Sequence, residues 1–218
     1  MIWGFGDSFT WGYGCRPGWG PFNQDGPLPE YYTKYKKEGD KIWLDWIGEW
    51  FNEEVRNISE SGASNDKIFD WVLENFEKIN DHDKVVIGMT TWGRTDVPTD
   101  QIWNSLLSAW EYGGMKILKE SVSNNISDDK LWETIINYQY FFSNSPLWET
   151  RWRTRFNFII EQLNKKKCQT ILFQIQEPIV LSMQTIRQET GISDEHFSFS
   201  GHKKFAEIIY RKFTSPLI

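Results

Sequence analysis

The stretch WGFGDSFTWGYG, from Trp3 to Gly14, carries an apolar run that stops at Gly6 and Asp7 and puts a serine, Ser8, directly after it. An apolar run closed by glycine and aspartate reads as a buried strand entering a sharp turn. Taken alone, Gly6-Asp7-Ser8 is also the composition of an ordinary turn. Its meaning depends on what the rest of the chain places beside it.

Moving outward from this strand, the apolar period changes. From Ile42 onward, Trp43, Trp46, Ile47, Trp50 and Phe51 recur at the three-and-four spacing of one helix face. The run EEVRNIS, Glu53 to Ser59, reads as a second strand. Ile68, Trp71, Val72, Phe76 and Ile79 repeat the helical spacing, and KVVIGMT, Lys84 to Thr90, reads as a third, fully buried strand. Strand, helix, strand, helix, strand predicts a parallel sheet with right-handed crossovers. A later helix is marked by Trp148, Trp152, Phe156, Ile159, Ile160 and Leu163, a fourth strand by Gln169 to Ile175, and a C-terminal helix by Phe205, Ile208, Ile209 and Phe213 with Ser198 as its N-cap. No fifth strand is evident between Pro178 and Gly191. Residues 11–39 hold glycine and proline at close intervals and predict a long irregular loop of the kind that carries function. Leu106, Leu107 and Trp110, then Leu131, Ile135 and Ile136, predict a helical insertion over about 101–143.

Composition narrows the classes of function. The 218 residues contain no Pro/Gly/Ser-rich linker, so one domain spanning 1–218 is expected. The net charge is −6, and no basic block stands out beyond Lys165 to Lys167, which argues against nucleic acid as a partner. Cys15 and Cys168 are the only cysteines and lack metal-ligand spacing, so neither a disulfide framework nor a zinc site is indicated. No basic segment followed by a long apolar stretch opens the chain; a signal peptide and a membrane span are therefore not visible, and the expected location is the cytoplasm. Thirteen Trp and an aromatic share of 17% exceed what such a core normally needs, so some aromatics are expected to line a binding surface.

In an open parallel sheet, ligands bind beyond the carboxyl ends of the strands. Three segments fall there: Gly6-Asp7-Ser8, then SESGASND containing Gly62, then GMTTWGR from Gly88 to Arg94. A serine nucleophile needs a base, and the base needs an acceptor that holds its tautomer. Three histidines are available. His82 precedes the third strand and so lies at the wrong edge, while His202 falls inside the last helix in a packing position. His196 precedes that helix, with Asp194 two residues upstream and on the same side of an extended chain.

Taken together, these blocks resemble the SGNH or GDSL-type serine hydrolases. The first block looks like Gly6-Asp7-Ser8-Phe9, the second is similar to Gly62 in GASND, and the last looks like Asp194-Glu195-His196-Phe197-Ser198. The resemblance runs through nearly the whole chain in the right order. It implies a three-layer α/β/α sandwich on a mostly parallel sheet of five or four strands, and catalysis by Ser8, Asp194 and His196 without metal or organic cofactor. It also implies an oxyanion hole made from the backbone N–H groups of Ser8 and Gly62. The third block departs from the family's Gly-x-Asn-Asp: Gly88-Met89-Thr90-Thr91 puts Thr90 where a side-chain asparagine donor is usual, and a threonine hydroxyl is shorter and rotates. Trp92 and Arg94 are candidates for substrate contact that could compensate. The family's commoner spacing also puts its aspartate where this chain has Ser193.

The activity so implied is hydrolysis of a small acyl ester through a Ser8 acyl-enzyme, with an O-acetyl group on a carbohydrate as the preferred substrate. Acyl transfer to a sugar or thiol uses the same intermediate and stays open. The missing asparagine and the many Trp also leave a non-catalytic carbohydrate-binding protein on the same scaffold. A flavodoxin-like nucleotide binder fits poorly, because Asp7 would face the phosphate.

Overall fold

The structure, a computed structural model, describes residues 1–12, 37–60, 62–90, 95–98, 103–106, 146–175, 188 and 196–215, with the backbone alone at 95–98, 103–106 and 146–148. The first strand, β1 (Ile2–Gly6), is followed at once by a single helical turn, α1 (Ser8–Trp11). Helix α2 (Trp43–Phe51), strand β2 (Val55–Ser59), helix α3 (Asn65–Asn75) and strand β3 (Lys84–Met89) follow. Two short strands, β4 (Thr95–Pro98) and β5 (Trp103–Leu106), precede helix α4 (Pro146–Lys165), strand β6 (Gln169–Gln174) and helix α5 (Phe199–Thr214).

Strands β2, β1, β3 and β6 lie side by side in that order, and every pairing is parallel. Alternation along each strand sends side chains to opposite faces, and each face has its own helical cover. On one face Ile2, Val86, Ile171 and Phe173 pack with Ile42, Trp43, Leu44 and Ile47 of the α2 region and with Phe205, Ile209 and Phe213 of α5. On the other, Trp3, Phe5, Val85, Ile87 and Met89 pack with Ile68 and Val72 of α3 and with Trp152, Phe156, Ile159 and Leu163 of α4. The described residues thus form the expected α/β/α layering around a four-stranded parallel sheet. Because β2 lies on one side of β1 and β3 on the other, the chain reverses its winding between β1 and β3. That reversal opens a crevice beyond their carboxyl ends.

The helix boundaries follow from local chemistry. Ser64 caps α3 by accepting from the Lys67 N–H at 3.1 Å, and Ser198 caps α5 by accepting from the Gly201 N–H at 3.1 Å, as its sequence position predicts. One expectation is corrected. The helical insertion over 101–143 does not hold at its start, where Trp103–Leu106 is a strand paired antiparallel with Thr95–Pro98, Asp96 opposite Ser105. Leu106, Leu107 and Trp110 fit a helical period, but a run this short is decided by the neighbour it finds. Residues 107–145 lie outside the described residues, as do 13–36 of the long loop and most of 176–195.

Candidate active site

The site begins with a turn. Strand β1 ends at Gly6, and Asp7 takes an extended conformation and caps α1, its carboxylate accepting from the Phe9 N–H at 3.1 Å. The Asp7 carbonyl accepts from Thr10 at 3.1 Å and Trp11 at 2.9 Å, and the Ser8 carbonyl from Gly12 at 3.0 Å. The N–H groups of Phe9, Thr10, Trp11 and Gly12 are therefore consumed inside the turn. That of Ser8, at the first helical position, is not, which is the usual state of a helix-start donor. Asp7 is thus a structural cap for the serine turn.

Glycine at position 6 is a steric requirement. A Cβ there would collide with Thr10 Oγ1 and stand 3.2 Å from the Gly88 carbonyl oxygen; a Cβ on Gly88 would stand 2.9 Å from the same hydroxyl. The Thr10 side chain fills a notch that the two neighbouring strands leave open by both carrying glycine. The turn is tied down further by Asn57 of β2, whose Nδ2 donates to the Thr10 carbonyl at 3.2 Å, and by Trp43, whose Nε1 donates to the Phe9 carbonyl at 3.1 Å. Ser8 is consequently held at the crest between β1 and β3 and is 5% exposed.

His196 comes to this turn from the far end of the chain. Its Nε2 lies 2.7 Å from Ser8 Oγ, across 188 residues of sequence. The imidazole packs against the Phe9 ring, with centroids 5.0 Å apart, and Phe9 meets the edge of Phe197 at 5.0 Å. Hence the residue after Ser8 and the residue after His196 pack on each other. The other two histidines do other things. His82 is exposed at the amino end of β3, where its N–H donates to the Lys166 carbonyl at 3.2 Å. His202 is buried in α5, and its Nδ1 accepts from the Trp43 N–H at 3.4 Å, joining α5 to the start of α2.

The remaining candidates are placed as follows. Gly62 lies in the turn between β2 and α3, at the same end of the sheet as Ser8. Its φ of 86° is left-handed, so a side chain would strain this backbone although no atom of the described residues blocks a Cβ. Thr90 follows the last residue of β3 and is fully buried. Asp194, Trp92 and Arg94 lie outside the described residues. Among the described residues, no group of three or more His, Cys, Asp or Glu could hold a metal ion, and no helix is long and apolar enough to cross a membrane.

Two participants were not singled out by sequence reasoning. Thr10 fills the glycine notch, and Asn65 hydrogen-bonds both backbone groups of Thr90. The signal for the first was present as glycines at matching positions of β1 and β3. For the second, only the position of Asn65 directly after a helix cap was visible.

No family model matches the chain, and no curated protein does. Among solved structures the chain is similar to a G-D-S-L family protein from Desulfitobacterium hafniense, at 13% identity and a TM-score of 0.40, over 97% of this chain and 98% of that one. It is also similar to Axe2, an acetylxylan esterase from Geobacillus stearothermophilus, at 14% identity and a TM-score of 0.39, over 99% of this chain and 94% of that one. Likeness at this level leaves the chemistry to be argued from the geometry of the site.

Proposed function

We propose that the protein is a serine hydrolase of the SGNH type that cleaves a small acyl ester. The observation that carries this reading is the 2.7 Å contact between His196 Nε2 and Ser8 Oγ at the carboxyl end of a parallel sheet. A hydroxyl at this distance from an imidazole nitrogen can pass its proton as it attacks a carbonyl. In the first step the Ser8 Oγ–C bond forms, the hydroxyl proton moves to His196, and the carbonyl π electrons move to oxygen. The tetrahedral species then collapses, breaking the bond to the alcohol, which leaves with the proton from His196. Water repeats the sequence on the acyl-enzyme and releases the carboxylic acid.

Asp194, two residues before His196, is assigned the task of orienting the imidazole. The unspent Ser8 N–H, the Gly62 N–H and the Thr90 hydroxyl are assigned to the developing oxyanion, and Trp92 and Arg94 to the substrate. An O-acetyl group on a carbohydrate is the proposed substrate, in keeping with the aromatic-rich chain. The chemistry needs only side chains and backbone donors.

The test combines a fluorophosphonate probe, read by intact mass, with p-nitrophenyl acetate hydrolysis. The parent should gain one adduct and turn over the ester. Ser8→Ala should gain none and lose about 10⁶-fold in turnover, the size found when a serine nucleophile is removed. Equal rates in the two proteins would defeat the assignment.

A further inference from the structure

We propose that Asn65 is a positioning residue for this site, acting through Thr90, an inference that rests on the serine hydrolase reading. Strand β3 ends in a ladder pair between Met89 and Gln174, so the N–H and C=O of Thr90 are the first backbone groups beyond that ladder. Both are buried, and both are taken by one side chain. The Thr90 N–H donates to Asn65 Oδ1 at 3.0 Å, and Asn65 Nδ2 donates to the Thr90 carbonyl at 3.2 Å. A carboxamide presents one acceptor and one donor arm side by side, as a neighbouring strand would. Neither a carboxylate, which has no donor, nor a single hydroxyl can serve both groups in this way.

Asn65 is itself well placed for the task. It is the first residue of α3, fully buried, and its neighbour Ser64 is the cap that fixes where the helix starts. The clamp therefore ties the exit of β3 to the start of α3, the two segments that carry Thr90 and Gly62. Fixing the Thr90 backbone also restricts its side chain, because a β-branched residue has few χ1 positions for a given backbone.

The Thr90 hydroxyl gives this arrangement a purpose. It is buried and has no hydrogen-bond partner among the described residues. Buried hydroxyls are normally satisfied; those of Thr10 and Thr170 are also without a partner among the described residues, and of the three Thr90 is the one that stands directly after the end of a strand. The β1–β3 register pairs Phe5 with Ile87, so the two adjacent strands end together, with Ser8 in the turn after Gly6 and Thr90 directly after Met89. An oxyanion formed on a carbonyl attacked by Ser8 would supply the missing acceptor. Asn65 touches no substrate in this scheme, and its effect passes through the direction in which Thr90 points.

The test is a double-mutant cycle on turnover of p-nitrophenyl acetate, with fluorophosphonate labelling and melting temperature measured on every variant. Thr90→Val should lower kcat by about 10²–10³ with little change in KM, as for loss of one oxyanion donor, and Thr90→Ser should retain most of the rate. Asn65→Ala should lower kcat by about tenfold or more, yet cause no further loss in the Thr90→Val background. Should Asn65→Ala fail to fold, Asn65→Asp keeps the acceptor for the Thr90 N–H and should show the same dependence on the threonine hydroxyl. Independent losses that multiply in the double variant, or unchanged kcat in Thr90→Val, would overturn the inference while a Ser8 adduct leaves the hydrolase reading standing. A parent that gains no adduct and hydrolyses no ester overturns both.

Discussion

The two ends of the sheet use their polar groups differently. At the amino end, charges face each other: the Met1 ammonium sits 3.1 Å from Asp83 and 3.0 Å from Glu53, and Glu53 also pairs with Lys84. Asp83 accepts in addition from Trp3 Nε1 and the Asn80 N–H, each at 2.9 Å. At the carboxyl end of the same strands stand the hydroxyls of Ser8, Thr10 and Thr90 and the His196 imidazole, beside an Asp7 carboxylate that accepts from the Phe9 N–H and a Lys67–Glu60 ion pair at 2.7 Å. The hydroxyls of Thr10 and Thr90 have no partner among the described residues. The charged network at the amino end ties the starts of β1, β2 and β3 together. Unspent hydroxyls at the carboxyl end cost stability and stay open to the chemistry proposed for this site.

If this division is right, substitutions at the two ends should separate activity from stability. Among packing substitutions Gly6→Ala should do the most damage, since the new methyl enters the Thr10 notch and pushes α1 away from β3. Displacement of the serine turn by about an ångström should cost about 10²-fold in kcat/KM, accompanied by about 1–3 kcal/mol of overpacking. Ester kinetics and chemical denaturation on the same preparation check both; a variant with full activity would dismiss the notch.

Asp83→Asn probes the opposite end. It should lower stability by about 1.5–3 kcal/mol through the loss of charge-assisted hydrogen bonds, with kcat at neutral pH unchanged. The same carboxylates set the acid limb of stability. Burial pushes Asp83 up, but hydrogen bonds from Trp3, Asn80 and the amino terminus outweigh it and hold the carboxyl below its ordinary 3.8. Burial likewise opposes ionisation of Glu53, and hydrogen bonds from Lys84 and the amino terminus hold it below 4.5. Groups whose folded pKa is depressed contribute stability that is complete above their unfolded values and is lost as pH falls through the folded ones. The parent should therefore lose stability steeply below about pH 4, and Asp83→Asn should show a shallower loss. Thermal melts across acidic buffers would show identical slopes if the pairing were idle.

The smallest effect is expected at Phe9, where the contact is ring on ring. Phe9→Leu should cost about threefold to tenfold in kcat/KM, the worth of one aromatic pair, through looser support of the His196 imidazole. Phe9→Tyr should restore most of it. A loss in stability with kinetics untouched would make Phe9 a packing residue only.

The elements that were legible in the chain were those with a strong period. The runs around Ile2, Val55, Lys84 and Gln169 became strands within a residue or two of their expected limits, and the stripe Trp152, Phe156, Ile159 and Leu163 became the buried face of α4. Short runs were less legible, as Trp103–Leu106 shows, because four residues satisfy either period. The exclusion of His82 and His202 as the base followed from their places relative to a strand and a helix, and the coordinates put one at the amino end and the other in the core. Asn65 was hidden for a different reason. Its partners are backbone groups of Thr90, 25 residues away, and a backbone amide leaves no mark on the sequence.

Sequence alone determined the order of the four parallel strands and of the long helices between them, and it set serine and histidine at segment boundaries, because periodicity and capping are properties of neighbouring residues. The tertiary structure decided the strand order β2-β1-β3-β6, the glycine notch around Thr10, the clamp of Asn65 on Thr90 and the meeting of Ser8 with His196. Those depend on which apolar faces find each other and which buried polar groups are left to be paired, choices made only when distant parts of the chain pack together.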